Sequence, residues 1–230
     1  MPRVPRIVIP NCPHHVTQRG NNRQDVFFVD DDRSSYLALL QEEAQRYGLD
    51  VDGYCLMSNH IHLIVTPKWE AALAKVLGRA DYRYAQYINR LHGRSGHLWQ
   101  NRFYSCPLDE DHYLTAMAYV EQNPVRARLV RCAWRYAWSS AAAHCGEGPD
   151  QFGLLDLAVW AKLLAAKGWR QTLSERLKPQ TLSILRLNTH RGRPLGSDTF
   201  LSKIESLLGR RLRPLPVGRP RKKKPVTKKK

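Results

Sequence analysis

His60 and His62 stand one residue apart inside Tyr54-Cys-Leu-Met-Ser-Asn-His-Ile-His-Leu-Ile-Val-Thr66, an apolar and β-prone run. Alternate residues of a strand face the same way, so the two imidazoles project side by side while Ile61 and Leu63 pack on the other face. Two imidazoles are half of a site for a divalent metal, and catalysis needs at least a third protein ligand and an open coordination position. Taken alone, the pair fits better as one hydrogen-bonded histidine at a sheet edge and one exposed. The Asp and further His that extend such a pattern in two-metal hydrolases are missing, because Leu63-Ile-Val-Thr66 follows. A second chemical segment is Ala118-Tyr-Val-Glu-Gln-Asn-Pro-Val-Arg-Ala-Arg-Leu-Val130. Tyr119 and Asn123, four apart at a helix end, share a face and can bring a hydroxyl and an amide oxygen to one centre. Spacing alone favours a blander reading, with Tyr119 in the core and Asn123 capping the helix before Pro124.

These residues need elements to position them. His15-Val-Thr-Gln-Arg19 alternates and reads as a first strand, ended by Gly20-Asn21-Asn22, with a short strand expected at Val26-Phe-Phe-Val29. Asp31 and Asp32 cap a first amphipathic helix in which Tyr36, Leu37, Leu40, Ala44 and Tyr47 recur until Gly48. Residues 49–56 and 60–66 form an antiparallel hairpin around Met57-Ser58-Asn59. A long helix over 69–92 is expected to break near Gly78, with Arg79, Arg83, Gln86 and Arg90 on one stripe and Ala80, Tyr84, Tyr87 and Leu91 on another. Residues 97–105 read as another strand, closed by Pro107. Asp109 and Asp111 open the helix that ends near Asn123, and a shorter turn follows over 125–129. Strands alternating with helices fit an α+β class, a mostly antiparallel sheet covered by helices.

Composition supports a buried core, with 43% hydrophobic residues in 230. No apolar run reaches the roughly 20 residues of a membrane span, and the N-terminus lacks the apolar stretch of a signal peptide, so a cytoplasmic protein is expected. Five scattered cysteines without a Cys-x-x-Cys pair read as reduced and mostly buried. The net charge of +17 is uneven: Arg210 to Lys230 carries eleven basic residues and no acid, and the rest still stands at +6. That balance favours a polyanion, foremost nucleic acid. Composition shifts after Gly146-Glu-Gly-Pro149. Beyond it, residues 154–166 look helical, and Gly192-Arg193-Pro194 and Gly218-Arg219-Pro220 bracket a helix-like 198–208. Arg193 and Arg219 suit a narrow minor groove, while a flexible linker with chance repetition explains the triplets as well.

The histidine and tyrosine segments together closely resemble the single-tyrosine HUH transposases. The match extends to His15-Val-Thr-Gln-Arg-Gly-Asn-Asn22, Gly96-His-Leu-Trp-Gln-Asn-Arg-Phe-Tyr104 and Trp138-Ser-Ser140, and points to the REP-associated tyrosine transposase branch. The resemblance covers about residues 10–145 and implies a ferredoxin- or RRM-like core, with 1–145 as the transposase domain and 146–230 as a basic, helical-to-disordered DNA-binding extension. It further implies that His60 and His62 hold Mg²⁺ or Mn²⁺ on a scissile phosphate and that Tyr119 attacks it, giving a 5′-phosphotyrosine and a free 3′-OH. Asn123 takes the place of the third ligand, where many relatives have glutamine, which leaves neighbouring Gln122 open. Ser58 stands where the family often has proline.

The implied substrate is single-stranded DNA or the foot of a REP-like hairpin, whose backbone and bases can be splayed. Tyr82, Trp99 and Tyr104 are candidate stacking residues, with aromatic core positions as the alternative, and Arg79, Arg83, Arg90, Arg94, Arg102 and Arg126 candidate phosphate contacts. The implied activity is metal-dependent strand cleavage and transfer, as a monomer or homodimer. A non-catalytic hairpin-binding protein derived from a transposase is the competing class, and a replication-initiator or relaxase-like nickase a third.

Overall fold

The computed structural model describes residues 5–157, 160 and 168–213. Its centre is a four-stranded antiparallel sheet of β1 (His14–Arg19), β2 (Leu49–Met57), β3 (His60–Pro67) and β4 (Tyr104–Pro107), in the order β2-β3-β1-β4. Helices α1 (Asp30–Tyr47) and α2 (Ala72–Leu91) cover one face. There Tyr36, Leu37 and Leu40 meet Leu73, Leu77 and Ile88 over Val16, Ile61, Leu63 and Val65. The other face carries α3 (Glu110–Glu121), α4 (Asn123–Arg126) and α5 (Ala141–His144), together with α6 (Trp169–Ser174) and α7 (Pro179–Arg191) from beyond residue 146, while α8 (Asp198–Leu208) packs Phe200, Ile204 and Leu208 against Ile7, Ile9 and Leu212 in a separate small cluster. Trp160, Trp169, Leu173 and Leu185 share one core with Cys55, Ile64, Cys106, Met117 and Tyr119, so the later residues pack into the second face. The α+β architecture matches the sequence-based expectation. All five cysteines are free, with Cys12, Cys55 and Cys106 buried. Among the described residues no helix is long and apolar enough to cross a membrane.

Several boundaries follow directly from local chemistry. Gly48 ends α1 at φ +66°, a left-handed conformation that favours glycine. The Asp109 carboxylate accepts from the His112 amide at the start of α3, and Ser197 caps α8 in the same way through the Phe200 amide. Ser58 and Asn59 alone join β2 to β3, so the turn places His60 at the first position of its strand.

Three expected elements differ. Residues 26–29 are not a strand, because the Val26 and Phe27 amides bond the Ser58 carbonyl and the Phe28 and Val29 amides bond the Asp32 carboxylate that starts α1. No amide of that segment is left for a sheet ladder. Helix α2 runs unbroken through Gly78: the cost of an interior glycine, about 1 kcal/mol, is outweighed by full burial of Val76, Leu77 and Ala80 around it. Of residues 97–105, only Tyr104 and Ser105 are in a strand, β4, which continues to Pro107. The Trp99 indole is drawn into the core, where it donates to the Asp81 carbonyl. The helix expected over 154–166 lies partly outside the described residues, and Leu155 instead bridges to Val51.

Gly20 ends β1 in tight quarters. A Cβ there would lie 2.2 Å from the Gln24 carbonyl oxygen and 2.7 Å from a Val26 methyl. Its amide holds the Asn59 carbonyl beside the histidine turn at 2.9 Å. Gly20→Ala is expected to lower stability by about 2 kcal/mol, in the range for overpacking, read as a shift of the urea midpoint at unchanged slope.

Candidate active site

Strand alternation puts His60, His62 and Ile64 on the α3 side of β3. In the β1–β3 register Thr17 faces His62 and Arg19 faces His60, so His15, Thr17 and Arg19 share that side. The His60 Nδ1 lies 2.6 Å from Asn59 Oδ1, an acceptor, and therefore donates to it. The His62 Nδ1 lies 2.9 Å from His15 Nε2, and His15 Nδ1 lies 2.8 Å from Thr189 Oγ1 on α7. One tautomer set satisfies the whole line, with His62 donating to His15 and His15 to Thr189. In it the Nε2 lone pairs of both His60 and His62 are left free, as metal ligation requires.

Tyr119 sits in the last full turn of α3, 5% exposed. Its ring stands edge-on to His15 and to His62, with centroids 5.6 Å away in each case. The Arg126 guanidinium lies 4.3 Å from the ring centroid and donates to the Tyr119 carbonyl. From α7, Arg186 Nε donates to the Tyr119 hydroxyl at 3.3 Å. Arg126 Nε and Nη1 are buried and have no hydrogen-bond partner among the described residues. Uncompensated buried cationic donors are costly, and here they stand beside a hydroxyl and two imidazoles.

The structure thus brings His60, His62, Tyr119 and Arg126 together. Asn123 lies next to them, its amide nitrogen donating to the carbonyls of Tyr119 and Val120, which leaves its Oδ1 as the atom that could ligate. Gln122 points elsewhere, donating to the carbonyls of Thr172, Leu173 and Glu175. Among the described residues no group of three or more His, Cys, Asp and Glu side chains is placed to hold a metal ion.

The expected arginine stripe does not reach this face. Helix α2 lies across the sheet, and Arg79 and Arg83 both pair with the fully buried Glu43 of α1 at 2.9 and 2.8 Å. Arg90 is exposed on the same helix, and Arg94 bonds Gln24. Trp99 is core, Tyr82 is exposed on α2, and Tyr104 stacks on His190. Arg102 and Arg193 line a cleft at the β4 edge. Arg219 and its Gly-Arg-Pro triplet lie outside the described residues.

Sequence reasoning missed His15, Arg186 and Thr189 as members of the site. His15 carried a signal, since alternation places it on the same face as His60 and His62 if β1 neighbours β3. Arg186 and Thr189 carried none, because they meet their partners across 67 and 174 residues of chain.

Burial holds these imidazoles neutral. It pushes His14 down to about 4, His15 to about 3 and His60 to about 4, and His62 well below its ordinary value, with the positive charges of Arg126 and Arg19 adding to the effect at His15 and His60 respectively. The unfolded chain protonates them near 6.5 and the folded chain does not. Each therefore costs about 1.4 kcal/mol per pH unit as pH falls between 6.5 and its folded value. Asp52 and Asp81, pushed up by burial to about 6 and about 7, act in the opposite sense, but they are two groups against four. Stability is expected to fall as pH drops from 6.5 and to go on falling below 4, where His15 and His62 still bind protons only in the unfolded chain, measured as urea midpoints across that range.

A family model described as "Transposase IS200 like" matches residues 8–123. A REP-associated tyrosine transposase solved bound to a REP hairpin has a similar fold, at TM-score 0.55 and 15% identity, over 65% of this chain and 89% of that one. A putative transposase from Deinococcus radiodurans R1 is more distant in structure, with TM-score 0.37 and 21% identity over 52% of this chain and 96% of that one. None of the curated proteins matches the sequence.

Proposed function

This chain belongs to the IS200-like transposase family, and from that premise we propose that it cleaves and rejoins single-stranded DNA at REP-like hairpins, with Tyr119 as nucleophile. The observation that carries the reading is the convergence on one sheet face of a tyrosine hydroxyl, two neutral histidines with free Nε2 atoms, and arginine donors without a partner among the described residues. His60, His62 and, through Oδ1, Asn123 are the residues that would hold Mg²⁺ or Mn²⁺. When bound, such an ion supplies Lewis acidity toward the scissile phosphate.

The chain's own groups perform the rest. The phenol oxygen bonds to phosphorus and the bond from phosphorus to the 3′-oxygen breaks, leaving a 5′-phosphotyrosine and a 3′-OH. The proton lost from the phenol is balanced by one taken up at the 3′-oxygen. Arg186, at hydrogen-bond distance from the hydroxyl, stabilises the developing phenolate, and the idle Arg126 donors meet the charge on the phosphoryl oxygens. His15 and Thr189 keep His62 turned with its Nε2 outward. Attack by a 3′-OH on the phosphotyrosine reverses the step without ATP, since one phosphodiester is exchanged for another. In this reading residues 1–145 carry the nucleophile and metal ligands, and residues 146–230 complete the site through Arg186 and Thr189.

The test is to mix the full chain, Mn²⁺ or Mg²⁺ and labelled hairpin DNA with single-stranded flanks, then separate under denaturing conditions. A labelled protein band is expected. Tight hairpin binding without an adduct in either metal would overturn catalysis in favour of a binding protein descended from a transposase. Arg186→Ala is expected to slow adduct formation roughly 10²-fold, the loss of one preorganised charge-stabilising donor, with hairpin affinity little changed.

A further inference from the structure

Glu121 is fully buried at the end of α3, two residues beyond Tyr119. Two later stretches of the chain hold its carboxylate. Ser140 Oγ donates to Oε1, His144 Nδ1 donates to the same oxygen at 2.6 Å, and Trp169 Nε1 donates to Oε2 at 2.7 Å. Ser140 is itself fastened to the edge strand β2, its Oγ accepting from the Tyr54 amide and its own amide donating to the Tyr54 carbonyl, each at 3.0 Å. Gly53 of β2 gives the room, since a Cβ there would lie 2.3 Å from Met117 Sδ on α3 and 3.2 Å from Ser140 Oγ. Trp160 stacks on the His144 ring at 3.9 Å and meets the Trp169 ring edge-on at 4.9 Å, so both donors are braced. Among the described residues no lysine or arginine pairs with the carboxylate. Taking such a group out of water is costly, and apolar packing would hold the helix down without that cost. What apolar packing lacks is direction, which hydrogen bonds supply.

We propose that Glu121 is a positioning residue for strand cleavage, its three hydrogen bonds fixing the rotation of α3 about its own axis and so aiming the Tyr119 hydroxyl. The proposal rests on the reading of Tyr119 as the nucleophile. Residues two apart on a helix point about 200° apart, so Glu121 grips the flank of α3 that faces away from the phenol. The lever is long. With a Cα radius of about 2.3 Å, the phenol oxygen stands roughly 8 Å from the helix axis, and a rotation of about 10° carries it more than ~1 Å. A displacement of that size costs about 10²-fold in rate. Gln122 ties the same turn to the end of α6 through the carbonyls of Thr172, Leu173 and Glu175, so the grip is exerted against a fixed neighbour. It also joins two segments that stand out in the sequence, Tyr119-Val-Glu-Gln-Asn123 and Trp138-Ser-Ser140.

The experiment uses the full chain and two readings. One is the single-turnover rate of adduct formation at saturating hairpin DNA with single-stranded flanks and Mn²⁺, taken well below the melting midpoint of every variant. The other is the ¹³Cζ NMR resonance of Tyr119 in the DNA-free chain, identified by its loss in Tyr119→Phe. Glu121→Gln keeps the shape and exchanges one acceptor for a donor. It is expected to slow the adduct about 10²-fold and to move the Tyr119 resonance, while hairpin affinity and the resonances of Tyr36 and Tyr84 stay as they are. Trp169→Phe keeps a ring and loses one donor, and should slow the adduct about tenfold. The double variant should be no slower than Glu121→Gln alone, because Trp169 acts through the carboxylate. A wild-type rate or an unmoved Tyr119 resonance in Glu121→Gln, additive losses in the double variant, or a fall in hairpin affinity as large as the fall in rate would each overturn the proposal. If Glu121→Gln does not fold, Trp169→Phe and Ser140→Ala decide, and an unchanged rate and resonance in both overturn it equally. Absence of an adduct from the unmodified chain would instead refute the catalytic reading, and the Tyr119 resonance would still report whether Glu121 sets the place of the phenol.

Discussion

Tyr119→Phe is expected to abolish the covalent protein–DNA adduct and to lower strand cleavage at least ~10⁴-fold, the scale seen when a sole nucleophile is removed. Phenylalanine keeps the ring contacts with His15 and His62 and the Arg126 guanidinium over its face, so the packing survives. Only the hydroxyl and its bond from Arg186 are lost, and stability should change by no more than about 1 kcal/mol. Other tyrosines do not replace it, Tyr36 and Tyr84 being in the core on the opposite face of the sheet. The Tyr136 hydroxyl donates to the Leu56 carbonyl, Tyr36 to Asp81 and Tyr84 to the Val26 carbonyl. Denaturing gels with end-labelled DNA decide the matter, and an adduct formed at the normal rate by the Phe variant would place the nucleophile elsewhere.

The second large effect is expected at the histidines. His60→Ala should reduce cleavage about 10³-fold, corresponding to several kcal/mol of transition-state charge stabilisation, while hairpin affinity measured in EDTA stays the same. His60 is the cleaner substitution, since it is only half-buried and its Nδ1 partner is its own neighbour Asn59. His62→Ala also strands His15 Nε2 in the core and should cost a further 1–3 kcal/mol of stability. Imidazole donors suit a transition ion better than Mg²⁺, which prefers oxygen ligands, so Mn²⁺ should support faster cleavage than Mg²⁺ at equal concentration. Chelation should stop the wild-type reaction and added Mn²⁺ restore it. Full cleavage by His60→Ala in EDTA would remove metal ligation from the mechanism.

Much of this arrangement is legible in the residues, for reasons that can be named. Alternation in 60–66, a helical stripe ending at Gly48 and carboxylate or hydroxyl caps at Asp109 and Ser197 are local signals, and each produced its element. The segments at 26–29 and 97–103 misled because their amides or side chains are claimed by partners outside any ladder, the distant Ser58 carbonyl, the helix-starting Asp32 carboxylate and the Asp81 carbonyl. Arg79 and Arg83 show the limit for charge. A basic stripe on α2 is visible in the sequence, but its pairing with Glu43 depends on α1 lying alongside. His60, His62 and Tyr119 could be singled out only through the resemblance of their two segments to a known family, since residue type and spacing alone favoured structural roles for them. Arg186 sits in a helix with no chemical pattern of its own, and only the tertiary fold takes it to the phenol.

The link from His15 to Thr189 spans 174 residues, and the link from His15 to His62 spans 47. Closing loops of that size costs entropy before any contact repays it, and folds dominated by such distant contacts form slowly. During synthesis the strand bearing His15 and the hairpin bearing the other two histidines emerge long before α7, since chains appear from the N-terminus onward. A ribosome-bound chain shorter than about 190 residues therefore lacks both the arginine beside the phenol and the hydroxyl behind the histidine line. The order of synthesis itself delays assembly of this constellation of side chains until nearly the whole described chain exists.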